Sequence, residues 1–432
     1  MTRAIVISID GLAAFYWDDP AASLPALRAL GERGIVAGRM ETVFPSTTWP
    51  AHVSLVTGVS PARHGVVGNS ILNRATARPE DLTGDPVYDA PDLLRAPTVY
   101  DHARAAGLRT AAIDWPATRN CASIDFCLPF FKDQKIFETQ TPRAVWTELG
   151  SLGYPLDRQG EWAQLPKRFL KDAMVADLAA HVVRRHAPDL LLLHFLCVDS
   201  FQHLHGPRSP EAYWAIAYVD GLIGRFLATL PAAELTDHTV LFVVSDHGFL
   251  PVAREIRMNV RLRQLGALRV DAGGRVSGGE ARFVMNHGAG YLYALGAGNH
   301  ERLLRDLAAE LAALEGVAGV WTEAGYAALG LPTPSENAHV GDLLVEAAPG
   351  YCFVDDARGD DIVGPPRYRG THGQRPTYPD NGAFFLAAGP GIARGKRLAQ
   401  IRSRDVAPTL AHVLGLKIGA TEGRALGEVF AA

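Results

Sequence analysis

The sequence predicts an α/β fold, with a mainly parallel central sheet covered by helices on both faces and a smaller cap or insertion beside it. Three observations carry this. Residues 4–9, 190–198 and 239–245 are short, almost purely apolar runs that lead into Asp10, Asp199 and Asp246. None alternates polar with apolar, which suits strands covered on both sides. Helical patterns lie between them, and strand alternating with helix implies a parallel sheet sandwiched by helices.

The elements follow in chain order. After Met1, Thr2 and Arg3 the chain enters residues 4–9 directly, and that run ends in an acidic residue rather than in the small-residue site of an export signal. It reads as a first strand, and the expected location is cytoplasmic. Ser23-Leu24-Pro25 opens a helix that carries Leu27 and Leu30 and closes near Gly34. Residues 73–96, rich in Pro, Asp and Arg, read as a surface excursion. Residues 254–368 hold their own strand and helix patterns, including the Ala-Leu-rich stretch 300–314, and read as an insertion between residues 1–253 and 369–432. Near the end, residues 404–414 place Val406, Leu410, Val413 and Leu414 on one helical side.

Composition narrows the function classes. The 432 residues are 48% hydrophobic and 20% charged, with 42 Lys and Arg against 46 Asp and Glu and a formal charge of −4. That is a folded, water-soluble globular chain with no basic run for a nucleic-acid duplex or an anionic membrane. Four cysteines are too few to staple a chain of this length. Free thiols are expected, a Cys121–Cys127 bridge being the alternative.

Chemistry concentrates where the apolar runs end, since open parallel sheets gather functional groups at the carboxyl ends of their strands. His203 follows Asp199 by four residues, His247 follows Asp246 directly, and His372 lies downstream between Thr371 and Gly373. Carboxylates mixed with imidazoles suit zinc or manganese better than magnesium or calcium. A lone strand-end aspartate would read as a cap, and His181 or His238 as structural or solvated. The coincidence of several such features points instead to a metal site. A further segment, Phe44-Pro45-Ser46-Thr47-Thr48-Trp49-Pro50-Ala51-His52, reads as the start of a helix with Thr48 in its first turn. Taken alone, Thr48 would pass for a helix cap; equally, a helix N-terminus favours a phosphoryl group and an ionised hydroxyl.

In order along the chain, Phe44 to His52, Leu55-Val56-Thr57-Gly58, His64-Gly65 to Asn69, Asp199 to Pro207, Asp246-His247-Gly248 and Thr371-His372-Gly373 resemble the motifs of the nucleotide pyrophosphatase/phosphodiesterase branch of the alkaline phosphatase superfamily. The similarity runs from Asp10 to about Gly391. It implies an alkaline phosphatase-like catalytic core at 1–253 and 369–432, a cap at 254–368, and two divalent ions, zinc first with manganese or iron as alternatives. Asp10, Asp246, His247 and Thr48 would hold one ion; Asp199, His203 and His372 would hold the other. Thr48 would be the nucleophile, passing through a phosphothreonine intermediate, and Asn69 would bind a phosphoryl oxygen. Trp49 falls where nucleotide-cleaving members place a ring against the base, and His194 stands where they have a tyrosine facing that ring. The implied partners are small phosphoesters or nucleotides, with a second copy of the chain docking through the cap as one option.

No Lys or Arg occurs between Phe44 and Leu55, which favours a diester or phosphoanhydride over a monoester. The runner-up is phosphonate C–P hydrolysis, resembling phosphonoacetate hydrolase. It needs a basic residue from the cap, for which Arg254, Arg257, Arg282 and Arg367 are available. A phosphomonoesterase, or a binding protein of the same fold without catalysis, completes the alternatives.

Overall fold

The computed structural model describes residues 2–83, 88–231, 237–298 and 300–431. Eight strands form the central sheet, in the order Lys396–Leu398, Gly34–Ala37, Phe385–Ala388, Thr239–Val244, Arg3–Ile9, Leu190–Phe195, Thr110–Ile113 and Phe126–Leu128. All neighbouring pairs from Thr239–Val244 to Phe126–Leu128 are parallel. Phe385–Ala388 runs antiparallel to both of its neighbours. Mainly parallel is therefore the observed sheet.

Both faces are covered, which explains the unbroken apolar runs. Ile5, Ile7 and Ile9 pack in one layer with Leu27 and Leu30 of helix Pro25–Glu32, Val175 and Leu178 of Arg168–His186, and Ile216 and Val219 of Pro210–Ala228. Ala4 and Val6 face the other layer, with Leu55 and Val56 of Thr48–Thr57, Tyr100 of Val99–Ala105 and Leu410 of Val406–Val413. Successive side chains on a strand point to opposite faces, so here each of them leaves water whichever way it points. Each fully buried Leu or Ile contributes about 1.5–3 kcal/mol.

One of the three apolar runs divides. The strand ends at Phe195, and Cys197–His205 is a helix, so Asp199 sits in a first helical turn and not at a strand end. An apolar run cannot by itself separate a buried strand from the buried helix that follows it. The cap of this helix comes from afar: the Asp172 carboxylate accepts the Leu196 and Cys197 N–H groups at 2.9 and 2.7 Å. No local capping residue marks the boundary in the sequence.

Beyond Leu250 a second, antiparallel sheet is built from Ala281–Asn286, Ala289–Ala294, Leu343–Ala347 and Val317–Thr322, in that spatial order. The stretch 300–314 contains helix Glu301–Ala312. Strand Leu250–Arg257 crosses from the central sheet toward this region and pairs at its start with Gly370–Thr371. That pairing returns the chain, at His372, to the neighbourhood of His247.

The stretch 73–96 is more than a surface excursion. Strands Ser70–Asn73 and Arg78–Asp81 form a hairpin, and Leu82 and Leu93 are buried with Tyr291 and Tyr326 of the second region. Sparse apolar content concealed this, because a few leucines suffice when their partners lie far along the chain; the part of that stretch at 84–87 lies outside the described residues. The four cysteines are free thiols. Among the described residues, no helix is long and apolar enough to cross a membrane.

Candidate active site

Thr48 is the first residue of helix Thr48–Thr57, and Thr47 precedes it as the capping position. No side-chain cap bond is made at that end, so Thr48 is not the helix cap that the isolated segment suggests. Its Oγ1 accepts a hydrogen bond from Asn69 Nδ2 at 3.4 Å, while Asn69 Oδ1 accepts the Trp49 N–H at 2.8 Å. Asn69 and the helix N-terminus thus converge on one hydroxyl. His52, one turn along, anchors this helix to the first strand through Ser8 Oγ at 2.9 Å.

His64 secures the far side of the same segment. Its Nδ1 accepts the Val66 N–H at 3.2 Å, which leaves Nε2–H to donate to Ser54 Oγ at 2.9 Å. Burial holds this imidazole neutral and pushes its pKa from 6.5 down to about 3. The unfolded chain binds the proton and the folded one does not, so the contribution is complete above pH 6.5 and is lost as pH falls toward about 3. The slope is about 1.4 kcal/mol per pH unit. His64→Gln should therefore lose about 2–3 kcal/mol less stability than wild type in urea titrations between about pH 7 and pH 4.5. Parallel losses in the two proteins would refute this.

Asp10 follows the first strand, and Gly11 turns the chain at a left-handed φ of 69°. A side chain at Gly11 would meet the Phe249 ring at 3.0 Å. Its N–H instead reaches Asp246 Oδ1 at 3.0 Å, and the His247 N–H reaches the same oxygen at 3.0 Å. Asp246 Oδ2 is left 3.1 Å from His247 Nε2, and Asp10 Oδ1 lies 3.5 Å from that nitrogen. Asp199 Oδ1 lies 3.2 Å from His203 Nε2 and 3.7 Å from His372 Nε2. The His247 and His372 rings stack at 3.6 Å and join the two groups.

These atoms fit divalent metal ions. Asp10 Oδ1, Asp199 Oδ1, Asp246 Oδ2 and His247 Nε2 are buried without hydrogen-bond partners, a costly state unless a cation meets them. The Nδ1 atoms of His203, His247 and His372 face the carbonyls of Gly370, Gly248 and Ser46 at 3.0, 3.0 and 2.9 Å. Each Nδ1 must carry the hydrogen, so each Nε2 offers a lone pair inward, as ligating histidines do. Asp10, Asp246 and His247 form one set of ligand atoms within 4.8 Å of one another, and Asp199, His247 and His372 form another. A third set is His203, His287 and His372. The structure brings all six predicted Asp and His side chains, with Thr48 and Asn69, around one pocket and its floor.

Burial, then the charges of Asp246 and Asp199, push the Asp10 carboxyl well above its usual range. Burial opposes ionisation of Asp199 and Asp246 too, but His203 beside the first and His247 beside the second hold both below it. Burial, reinforced by His247, His287 and His203, keeps His372 neutral. Burial pulls the His247 imidazole down, but Asp246 beside it wins and raises it; a bound cation would displace the protons shared in this cluster, since ligands bind deprotonated.

The pocket encloses about 280 Å³, and its lining includes Thr48, Trp49, Asn69, Phe130, Arg168, His194, Met285 and His287. His194 does not stand opposite Trp49. Its Nε2 lies 3.2 Å from Asp10 Oδ2 and its Nδ1 donates to the Asp114 carbonyl at 3.1 Å, which turns the ring toward the carboxylates. The ring against Trp49 is Phe130, edge-on at 6.3 Å. Nor do the four cap arginines line the pocket: Arg254 pairs with Glu315, Arg257 with Glu255, Arg367 with Asp356, and Arg282 donates to the Ala77 carbonyl. The basic groups in the lining are Lys132, paired with Asp81 at 3.1 Å, and Arg168, 3.4 Å from Asp199 Oδ2. Phe130, Arg168, Asn286 and His287 carry no local motif, and only their meeting in space singles them out.

The sheet and the Asp/His clusters define an alkaline phosphatase-like α/β protein. A family model for type I phosphodiesterase / nucleotide pyrophosphatase matches residues 4–375, and the chain belongs to that family. An uncharacterized pyrophosphatase/phosphodiesterase of Schizosaccharomyces pombe is 29% identical over 259 residues, 58% of this chain and 46% of that protein. Human ectonucleotide pyrophosphatase/phosphodiesterase family member 1 is 24% identical over 246 residues, 56% of this chain and 23% of that protein. The matched part spans less than half the length of either curated relative. Among solved structures, an inactive form of murine ectonucleotide pyrophosphatase/phosphodiesterase 5 in complex with AMP gives a TM-score of 0.74 at 19% identity, covering 100% of both chains. Its human counterpart gives 0.73 at 18% identity, again over 100% of both. At such identities the likeness is one of fold.

Proposed function

We propose that this chain is a two-metal phosphohydrolase that cleaves nucleotide-type phosphodiesters or phosphoanhydrides through a covalent intermediate on Thr48. The observation that carries the reading is the Thr48 hydroxyl, uncommitted to capping, held by Asn69 at a helix N-terminus. Two divalent ions, when bound by the Asp and His side chains, would lower the pKa of that hydroxyl and stabilise charge on the attacking and leaving oxygens. The Thr48 hydroxyl gives its proton to solvent and its Oγ forms the bond to phosphorus as the bond to the leaving oxygen breaks, and the leaving group takes a proton from solvent. Water then forms a bond to the same phosphorus as the Thr48 O–P bond breaks, and one of its protons restores the Thr48 hydroxyl.

Asn69 and the N–H groups of the first helical turn bind the non-bridging oxygens. Asn69→Ala should lower kcat/KM by about 10²–10³, read as initial rates on bis(4-nitrophenyl) phosphate. A loss below about threefold would remove Asn69 from this role.

Trp49, Phe130, Leu165, Leu196 and Met285 line the pocket and supply apolar surface for a second ester group. The charge of Arg168 is engaged by Asp199 and that of Lys132 by Asp81, which favours diesters over monoesters. The AMP bound by the murine structural relative supports a nucleotide substrate. Zinc suits the mixed donor set best, with manganese and iron as alternatives. Free thiols accord with a cytoplasmic setting. The test is parallel assay of bis(4-nitrophenyl) phosphate, 4-nitrophenyl phosphate and phosphonoacetate with zinc and with manganese. The diester should turn over fastest; faster cleavage of the monoester or of the phosphonate would overturn the assignment.

A further inference from the structure

We infer that His287 is a ligand of the second metal position, alongside His203, His372 and Asp199, and that the tip of one hairpin thereby serves both metal and phosphoryl binding. The inference rests on the two-metal reading above. Ligand nitrogens of His203, His287 and His372 all lie within 4.8 Å of one another. The His287 ring stacks on His203 at 4.9 Å and lies 4.4 Å from His372. It lines the pocket, and among the described residues its ring nitrogens have no hydrogen-bond partner. The residue is half-buried, so an ion in the pocket can reach those nitrogens.

The backbone holds this imidazole in place at a conformational cost. Asn286 and Ala289 are the last paired residues of the hairpin formed by strands Ala281–Asn286 and Ala289–Ala294, so His287 and Gly288 are its two-residue turn. His287 has a φ of 61°, a region where histidine is uncommon and where glycine and asparagine usually serve. The turn is fixed from three sides. Gly288 N–H donates to the His372 carbonyl at 2.7 Å, Phe353 N–H to the His287 carbonyl at 2.8 Å, and Ala347 N–H to the Gly288 carbonyl at 2.8 Å. A Cβ at Gly288 would come within 2.0 Å of the Gln374 amide, so the glycine permits the close approach to the His372 segment.

The adjacent residue ties the turn to the phosphoryl side. Asn286 Oδ1 accepts the N–H groups of Asn69 and Ser70 at 2.7 and 3.0 Å, and its Nδ2 donates to the Ser70 carbonyl at 2.9 Å. One turn thus positions Asn69 and presents an imidazole to the metal centre. The two positions then differ in chemistry: three imidazoles and a carboxylate at one, two carboxylates, an imidazole and the Thr48 hydroxyl at the other. Imidazole-rich sites favour zinc or cobalt, and carboxylate-rich sites accept manganese more readily.

The test compares wild type with His287→Asn, which keeps a turn residue suited to a positive φ before Gly288, and with His287→Gln. Each metal-free chain is titrated with Zn²⁺ by calorimetry, and its folding is checked by thermal melting. Wild type should bind both ions, while His287→Asn should keep one affinity and weaken the other by about 10–100-fold or more. Co²⁺-loaded wild type should show a paramagnetically shifted imidazole signal from His287 besides those of His203, His247 and His372. This second measurement needs no variant. Unchanged affinity at both positions in the variants, or no His287 signal, would overturn the inference and leave two-metal hydrolysis standing. Wild type that binds no metal would remove both.

Discussion

Thr48→Ala should lower kcat/KM for a phosphodiester by about 10⁴–10⁶, the scale on which loss of a nucleophile acting with its activating groups is felt. The fold should survive. Thr48 follows the capping residue instead of being it, alanine is the best helix former, and the hydroxyl's one bond to Asn69 is long at 3.4 Å. Both metal ions should remain, because the carboxylates and imidazoles hold them without the hydroxyl. Thr48→Ser, which keeps an oxygen at the same place, should retain much of the activity. Thermal melting and metal analysis beside the rate separate a lost nucleophile from a lost site; near-wild-type turnover in Thr48→Ala would end the covalent mechanism.

Stripping the metals should be the second large effect, on activity and stability together. Asp10, Asp199 and Asp246 are almost wholly buried, at 2%, 4% and 0% exposure, and each keeps an oxygen without a hydrogen-bond partner. Ions that bind only the folded chain stabilise it by about 2.7 kcal/mol per site at a hundredfold excess over Kd and about 4.1 kcal/mol at a thousandfold. Dialysis against a chelator should therefore abolish turnover and lower Tm by several degrees, and zinc should restore both. A chelated chain with unchanged Tm would mean that the clusters hold no ion in the folded protein.

How much of this was legible in the sequence varied with distance along the chain. Asp10, Asp246 and His247 follow strands made of contiguous apolar residues, so both the strands and the ligands stood out locally. Asp199 and His203 were visible as a pair, but their helix was not, because its cap is Asp172 on another helix. The pocket wall was least legible. Nothing near Trp49 points to Phe130 as its ring partner, and nothing near His194 shows that it turns toward Asp10 and the Asp114 carbonyl. Arg168 reaches Asp199 from the start of a long helix whose sequence there, with Lys167, Lys171 and Asp172 nearby, looks solvated. His287 enters on a hairpin turn of the 254–368 region, far along the chain from the residues it meets.

The central claim is that Thr48 attacks phosphorus before water does. The stereochemical course at phosphorus tests it most directly, with an isotopically chiral phosphorothioate diester hydrolysed in labelled water. Two successive in-line displacements, first by Thr48 and then by water, predict net retention of configuration. Net inversion would mean that water attacks the substrate directly, and would contradict the account.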